Sequence, residues 1–245
     1  YRAYNVFNSR AMTSNNLFDR CKAYLNSQAF EAAEQPHKMR PAVTLSRMAG
    51  SRGMILGDKL ALYLQEKTKS ENFPWTVFDK NLIDKVLEDH ELPARLEKYV
   101  PEDATNELEA TIKEILGLHP SLWTLVQKTS ETIFNIARKG NAILVGRGGN
   151  IITSSLRNVF HVRLVGSLEG RVAHVMSRHN CSEKDALENI KKTDDARESY
   201  VKKYFDRNSE NPLQYHLTLN TDGMSDAWIV QHIGDMVLDW KSHNE

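Results

Sequence analysis

Three short segments combine residue types suited to phosphate chemistry. The first is Ser46-Arg47-Met48-Ala49-Gly50-Ser51-Arg52-Gly53-Met54, which follows an apolar run and leads into a helical pattern. A glycine-bearing turn between a strand and a helix lets backbone N–H groups converge on an anion, and the positive end of the helix dipole adds favourable potential. The full phosphate-loop pattern G-x-x-x-x-G-K-[ST] is not met, because Met54 and Ile55 stand where a lysine and a hydroxyl residue belong. The second segment, Val145-Gly146-Arg147-Gly148-Gly149, sets one cation in a glycine frame. A guanidinium grips phosphate or a base edge bidentately, and the glycines allow close approach. In the third, Asp194 and Arg197 share a helix face that continues through Tyr200, Lys203 and Tyr204. A mobile helical arm with such a face closes over a polyphosphate and neutralises charge that moves during transfer. Each segment also has a plain reading, as a strand–turn–helix connection, a glycine-rich surface turn and a solvated helix face.

The elements that must position these segments follow from periodicity. Ala42–Leu45, Trp75–Phe78, Ala142–Val145, Val159–Val165 and His216–Asn220 read as short strands, Ala142–Val145 as a buried one. Between them, Leu56, Leu60, Ala61 and Leu64 predict a helix through Lys67. Ser167 caps a helix to about Arg178, Ser182 with Asp185 opens a charged helix to about Phe205, and Ile229, Ile233, Val237 and Trp240 stripe a closing helix. Residues 80–139 carry only helical periodicities, broken near Pro93, Pro101 and Pro120. Leu17, Cys21, Tyr24 and Leu25 predict one more helix, followed by a polar linker at 34–38. Strands alternating with helices imply an α/β fold with a mostly parallel sheet, whose ligands sit beyond the carboxyl ends of the strands. The Ser46–Gly57 segment, Asp79 and Gly146–Asn150 all fall in such post-strand positions.

Composition narrows the function classes. In 245 residues, 32 Lys+Arg balance 32 Asp+Glu, which argues against binding nucleic acid or an anionic membrane by bulk charge. No stretch approaches the roughly 18 apolar residues of a membrane span, and the start YRAYNVFNSR lacks a signal-peptide core, so the chain reads as cytoplasmic. Cys21 and Cys181 stand without metal or disulfide spacing, and the nine histidines form no HExxH motif, so no metal site is expected. Trp75, Trp123, Trp228 and Trp240 read as core packing.

Taken together and in order, the motifs resemble the cytidylate kinase-like family of phosphate-loop nucleoside monophosphate kinases, over about Pro41 to Leu238. Ser46-Arg47-Met48-Ala49-Gly50-Ser51-Arg52-Gly53 resembles the family's S-R-x-x-G-S-x-G, and Phe78-Asp79-Lys80-Asn81-Leu82-Ile83 its F/Y-D-K-x-L-I. Val145-Gly146-Arg147-Gly148 is similar to V-G-R-G, Asp194, Arg197, Tyr200 and Tyr204 to the lid pattern, and Leu217–Thr221 to L-x-L-N-T.

The resemblance implies a five-stranded parallel sheet flanked by helices, with a helical acceptor-side insertion at 80–139 and a lid-like arm at 182–212. Residues 41–245 then form the phosphate-loop domain, and 1–40 a helical appendage and linker. The implied reaction moves the γ-phosphoryl group of ATP, with Mg²⁺ bridging its phosphates, to a nucleoside monophosphate similar to CMP or dCMP, or to a related small acceptor. Ser46, Arg47, Gly50, Ser51, Arg52, Gly53 and Met54 would cradle the donor phosphates. Asp79, Arg147 and Gly148 would line the acceptor side, and Arg52, Asp194 and Arg197 would act in catalysis. The long insertion would enclose a larger substrate or build a homodimer interface. Two departures accompany the resemblance: Met54 replaces the family's cation, and Gly148 replaces the acid of the G-R-D sequence in true cytidylate kinases. A second reading is therefore a catalytically weakened nucleotide- or phosphate-binding module derived from such a kinase.

Overall fold

Short apolar runs too brief for helices become strands, and all but the last of them are buried along most of their length, as in sheets whose crossovers are helices. The computed structural model of the chain describes residues 40–69, 74–80 and 122–244. Its strands are β1 (Ala42–Arg47), β2 (Thr76–Phe78), β3 (Ala142–Val145), β4 (Val159–Val165) and β5 (Leu217–Asn220). All pair in parallel, in the order β2-β3-β1-β4-β5. Register places Leu45 beside Val145 and Val162, so the carboxyl ends of β1, β3 and β4 open together. The chain moves from one side of β1 to the other between β3 and β4. That is the topological switch point, where an open α/β sheet leaves a crevice for ligand.

The helices are α1 (Gly53–Thr68), α2 (Leu122–Lys139), α3 (Gly149–Ile152), α4 (Leu168–His179), α5 (Glu183–Phe205) and α6 (Asp226–Asn244). The predicted stripe of α1 is buried at Leu56, Leu60, Ala61 and Leu64, and it packs with Ile229, Ile233 and Val237 of α6 over one sheet face. Ser167 accepts a hydrogen bond from the Gly170 N–H, and Ser182 from that of Asp185, so both predicted caps form. A second cluster joins Val172 and Val175 of α4 to Ala186 and Ile190 of α5, and it includes Ala49 of the loop after β1. A third joins Val126 of α2 to Tyr200 and Val201 near the end of α5. These two clusters hold the α4–α5 hairpin against the carboxyl edge of the sheet.

One expectation needs correction. Trp228 is not core: it is 43% exposed and stacks on His232, with ring centroids 3.7 Å apart. Ile229, Val230 and Ile233 take the inward face of α6, which turns their neighbour outward. The helix expected near Leu17, the linker that follows it and the helical periodicities at 81–121 lie outside the described residues, while the helical periodicity that continues to 139 forms α2. Among the described residues no helix is long and apolar enough to cross a membrane.

Candidate functional site

A cavity of about 240 Å³ opens where the loops after β1 and β3 meet α5. Four arginines line it, Arg47, Arg147, Arg163 and Arg197, against three acids, Asp194, Glu198 and Glu210. Such a concentration of guanidinium groups at a sheet switch point suits a ligand with several anionic oxygens.

Three of these arginines come from the segments marked by sequence. Arg47 ends β1, and its guanidinium lies against Gly146, where φ is 86° and any Cβ would collide with it. Glycine takes that backbone without strain and leaves the Arg47 guanidinium where it lies. Arg147 is 3% exposed, has φ 57°, and sits with its guanidinium carbon 5.9 Å from the Tyr200 ring centroid, a cation–π distance. Tyr200 in turn packs on Tyr204 and Phe205. The aromatic end of α5 thus roofs the glycine loop. Arg197 donates to the Arg47 carbonyl at 3.2 Å and lies 3.8 Å from Asp194. Gly148 also lines the cavity, and a side chain there would begin 2.8 Å from the Phe205 ring, so Phe205 fills the space an acid would need.

Sequence reading missed Arg163, Glu210 and Tyr215, and marked Asn150 only as the end of the post-strand segment Gly146–Asn150. Arg163 pairs with Glu210 and lies 5.6 Å from the Tyr215 ring centroid. Ser46 donates to Asn150 Oδ1 at 3.2 Å, and Asn150 donates onward to Gln214 at 3.3 Å. One signal was present: Arg163 is a lone charge in the run Val159–Val165, and a charge in a buried strand calls for a partner.

In the loop after β1 both Gly50 and Arg52 have positive φ, 82° and 63°, and Arg52 is the N-cap of α1. The first N–H groups of a 16-residue helix have no intrahelical partner and point into that turn. Several of its side chains point elsewhere. The Ser51 hydroxyl donates to the Met48 carbonyl at 2.8 Å. Met54 packs on the apolar core. The Arg52 guanidinium donates to Asp226 at 2.6 Å and to the carbonyls of Met224 and Thr221, stapling the loop to the turn before α6. Burial alone would push the Asp226 carboxyl up, yet its hydrogen bond to Lys59 and the charges of Lys59 and Arg52 hold it below the usual carboxylate range. Asp194 reaches the loop directly, accepting the Ala49 N–H at 2.7 Å. Asp79 is half-buried just after β2 and is not among the residues lining this cavity.

A sequence model of a cytidylate kinase-like family matches residues 42–223. Among solved structures, an uncharacterized protein from Eubacterium ventriosum ATCC 27560 is similar with a TM-score of 0.61 and 18% identity, covering 82% of this chain and 99% of that one. A gluconokinase from Sinorhizobium meliloti 1021 follows, with a TM-score of 0.47, 10% identity, and coverage of 84% and 97%. A shikimate kinase from Bacteroides thetaiotaomicron has a TM-score of 0.43 and 12% identity, covering 81% and 96%. No curated protein matches the chain. The match at TM-score 0.61 is a likeness of fold.

Proposed function

Since the chain belongs to the cytidylate kinase-like family, we propose that it performs ATP-dependent phosphorylation of a nucleoside monophosphate similar to CMP or dCMP, or of a related small acceptor. The observation that carries this reading is the cavity between the phosphate loop, the Gly146–Gly149 loop and α5, with Arg47, Arg147, Arg163 and Arg197 on its walls. In the reaction an acceptor oxygen bonds to the γ-phosphorus while the bond to the bridging oxygen breaks and ADP leaves. Positioning and charge neutralisation dominate such catalysis, and arginines supply both. The backbone of Gly50–Met54 would seat the donor phosphates, Arg147 would hold the acceptor phosphate and Arg197 would neutralise the moving charge. Among the described residues no group of three or more His, Cys, Asp or Glu could hold a metal ion. Mg²⁺ would then arrive on the nucleotide's own oxygens and neutralise charge between its phosphates.

The test is ADP release from Mg·ATP against CMP, dCMP, UMP, AMP and GMP, with Arg197→Ala as control. Acceptor-dependent turnover lost in the control is the expected result; no turnover with any acceptor counts against it. Gly148 stands where true cytidylate kinases carry the acid of G-R-D, so selectivity among the monophosphates is the informative column of that panel.

Arg147→Lys is expected to weaken acceptor binding about tenfold, because an ammonium keeps the charge but loses the fork and much of the stacking on Tyr200. Calorimetry of acceptor binding checks this, and unchanged affinity removes Arg147 from the acceptor site.

A second reading, the catalytically weakened binding module, is favoured by one pair of observations. Met54 lies against the core and Arg52 is engaged by Asp226, so neither directs a cation into the cradle. The two readings share ligand binding and differ in turnover.

A further inference from the structure

Arg171 entered the sequence reading only as part of a capped helix. It sits near the start of α4, at the positive end of the helix dipole, where a cation is disfavoured unless something else holds it. It is 8% exposed, and its guanidinium reaches three partners on three segments. Nε donates to the Gly166 carbonyl at 3.1 Å, while Nη1 donates to the Ala49 carbonyl at 3.2 Å and to Asp194 Oδ2 at 2.7 Å. The other Asp194 oxygen accepts the Ala49 N–H at 2.7 Å. Ala49 is therefore gripped from both of its backbone polar groups, by Arg171 at C=O and by Asp194 at N–H, and the Arg171–Asp194 ion pair closes the ring. Gly50 packs directly on the same residue: with φ 82°, its Cβ would lie 2.7 Å from the Arg171 carbonyl oxygen. Asp194 is also 3.8 Å from Arg197, one helical turn along α5.

We propose that Arg171 is a positioning residue that, through Asp194, locks the phosphate loop to the arm helix α5, so that the loop takes its anion-binding shape only when α5 is seated. The coupling rests on the phosphotransferase reading for its purpose, though not for its geometry. It assigns Asp194 to the loop backbone rather than to the reacting phosphoryl group. A buried fork with three acceptors is not replaced by an ammonium, so Arg171→Lys lacks the full set of bonds. Because both side chains hold one residue, Ala49, and also hold each other, their effects on nucleotide affinity must fail to add.

The experiment uses the full chain. Hydrogen exchange at the Ala49 amide is measured without ligand in wild type, Arg171→Lys, Asp194→Asn and the double variant, with thermal melting of each, and Mg·ATP affinity is measured by calorimetry. The expected result is Ala49 exchange at least about tenfold faster in each single variant, Mg·ATP bound about tenfold more weakly, and a double variant no worse than the singles. A residue that only stabilised the fold would lower the melting temperature and leave Mg·ATP affinity untouched. That outcome overturns the proposal, as does Ala49 exchange in Asp194→Asn equal to wild type, or additive losses in the double variant. Wild-type protein that binds no Mg·ATP overturns the phosphotransferase reading, and the exchange rates then decide the coupling by themselves.

Discussion

Replacing Arg197 with alanine is expected to lower kcat for acceptor phosphorylation by about two to three orders of magnitude while changing KM for Mg·ATP far less. The reason lies in where its guanidinium is held. It is 22% exposed at the wall of the cavity, tethered to the Arg47 carbonyl at 3.2 Å and steered by Asp194 at 3.8 Å. Phosphoryl transfer spreads negative charge over the equatorial oxygens of the moving group, and a cation held in place beforehand, as proposed for Arg197, would need no reorganisation as the charge develops. A group that acts on that charge alone reduces kcat when removed; one that merely binds nucleotide raises KM instead. Steady-state kinetics with the best acceptor separate the cases, with a thermal melt to show that the variant is folded. A variant that keeps kcat within threefold of wild type takes Arg197 out of the reacting centre.

Acidification is expected to destabilise the protein between about pH 6.5 and pH 4, through a histidine pair behind the site. His161 is 7% exposed on β4, with Nδ1 2.9 Å from the Thr44 hydroxyl and its ring stacked on His216 at 5.0 Å. Burial, followed by the nearby His216 charge, pushes His161 down to about 4, and burial lowers His216 as well. His216 Nδ1 also accepts the His161 backbone N–H at 2.8 Å, which a proton on that nitrogen would forbid. The unfolded chain takes up the His161 proton near pH 6.5 and the native one only near pH 4, so the unfolded state binds more protons throughout that window. Stability is therefore fully present above about pH 6.5 and falls with pH, by roughly 3 kcal/mol across the window for this one group. Urea denaturation at pH 7, 6, 5 and 4 reads the slope. Carboxylates also titrate at the acid end, so His161→Gln serves as the reference. The prediction fails if wild type and variant lose stability in parallel.

The parts of this protein that sequence alone determined are those in which the information is local. Ala42–Leu45 and Ala142–Val145 are runs too short and too apolar for anything but buried strands, and the spacing of Leu56, Leu60 and Leu64 requires a helix with one inward face. Ser167 and Ser182 announce helix starts because a hydroxyl can satisfy an N–H two or three residues ahead. Gly50 and Gly146 mark the two loops because each combines a positive φ with close packing, against the Arg171 backbone and the Arg47 guanidinium. Once strands and helices alternate, the parallel sheet follows, and with it a crevice beyond its carboxyl ends.

Only tertiary structure decided what each charged side chain does there. Arg52 lies in the phosphate loop by sequence, yet its partners Thr221, Met224 and Asp226 are some 170 positions away. Asp194 faces Arg197 by helical spacing, but its short hydrogen bond runs to Ala49, which is 145 positions distant. Arg163, Arg171 and Glu210 gave no periodic signal; sheet register brings Arg163, with its partner Glu210, to the cavity wall, and the seating of α4 brings Arg171 to the loop after β1. A guanidinium on a flexible stem can serve either of two neighbouring loops at similar local cost. The choice between them is made by desolvation and by partners that the fold alone brings within reach.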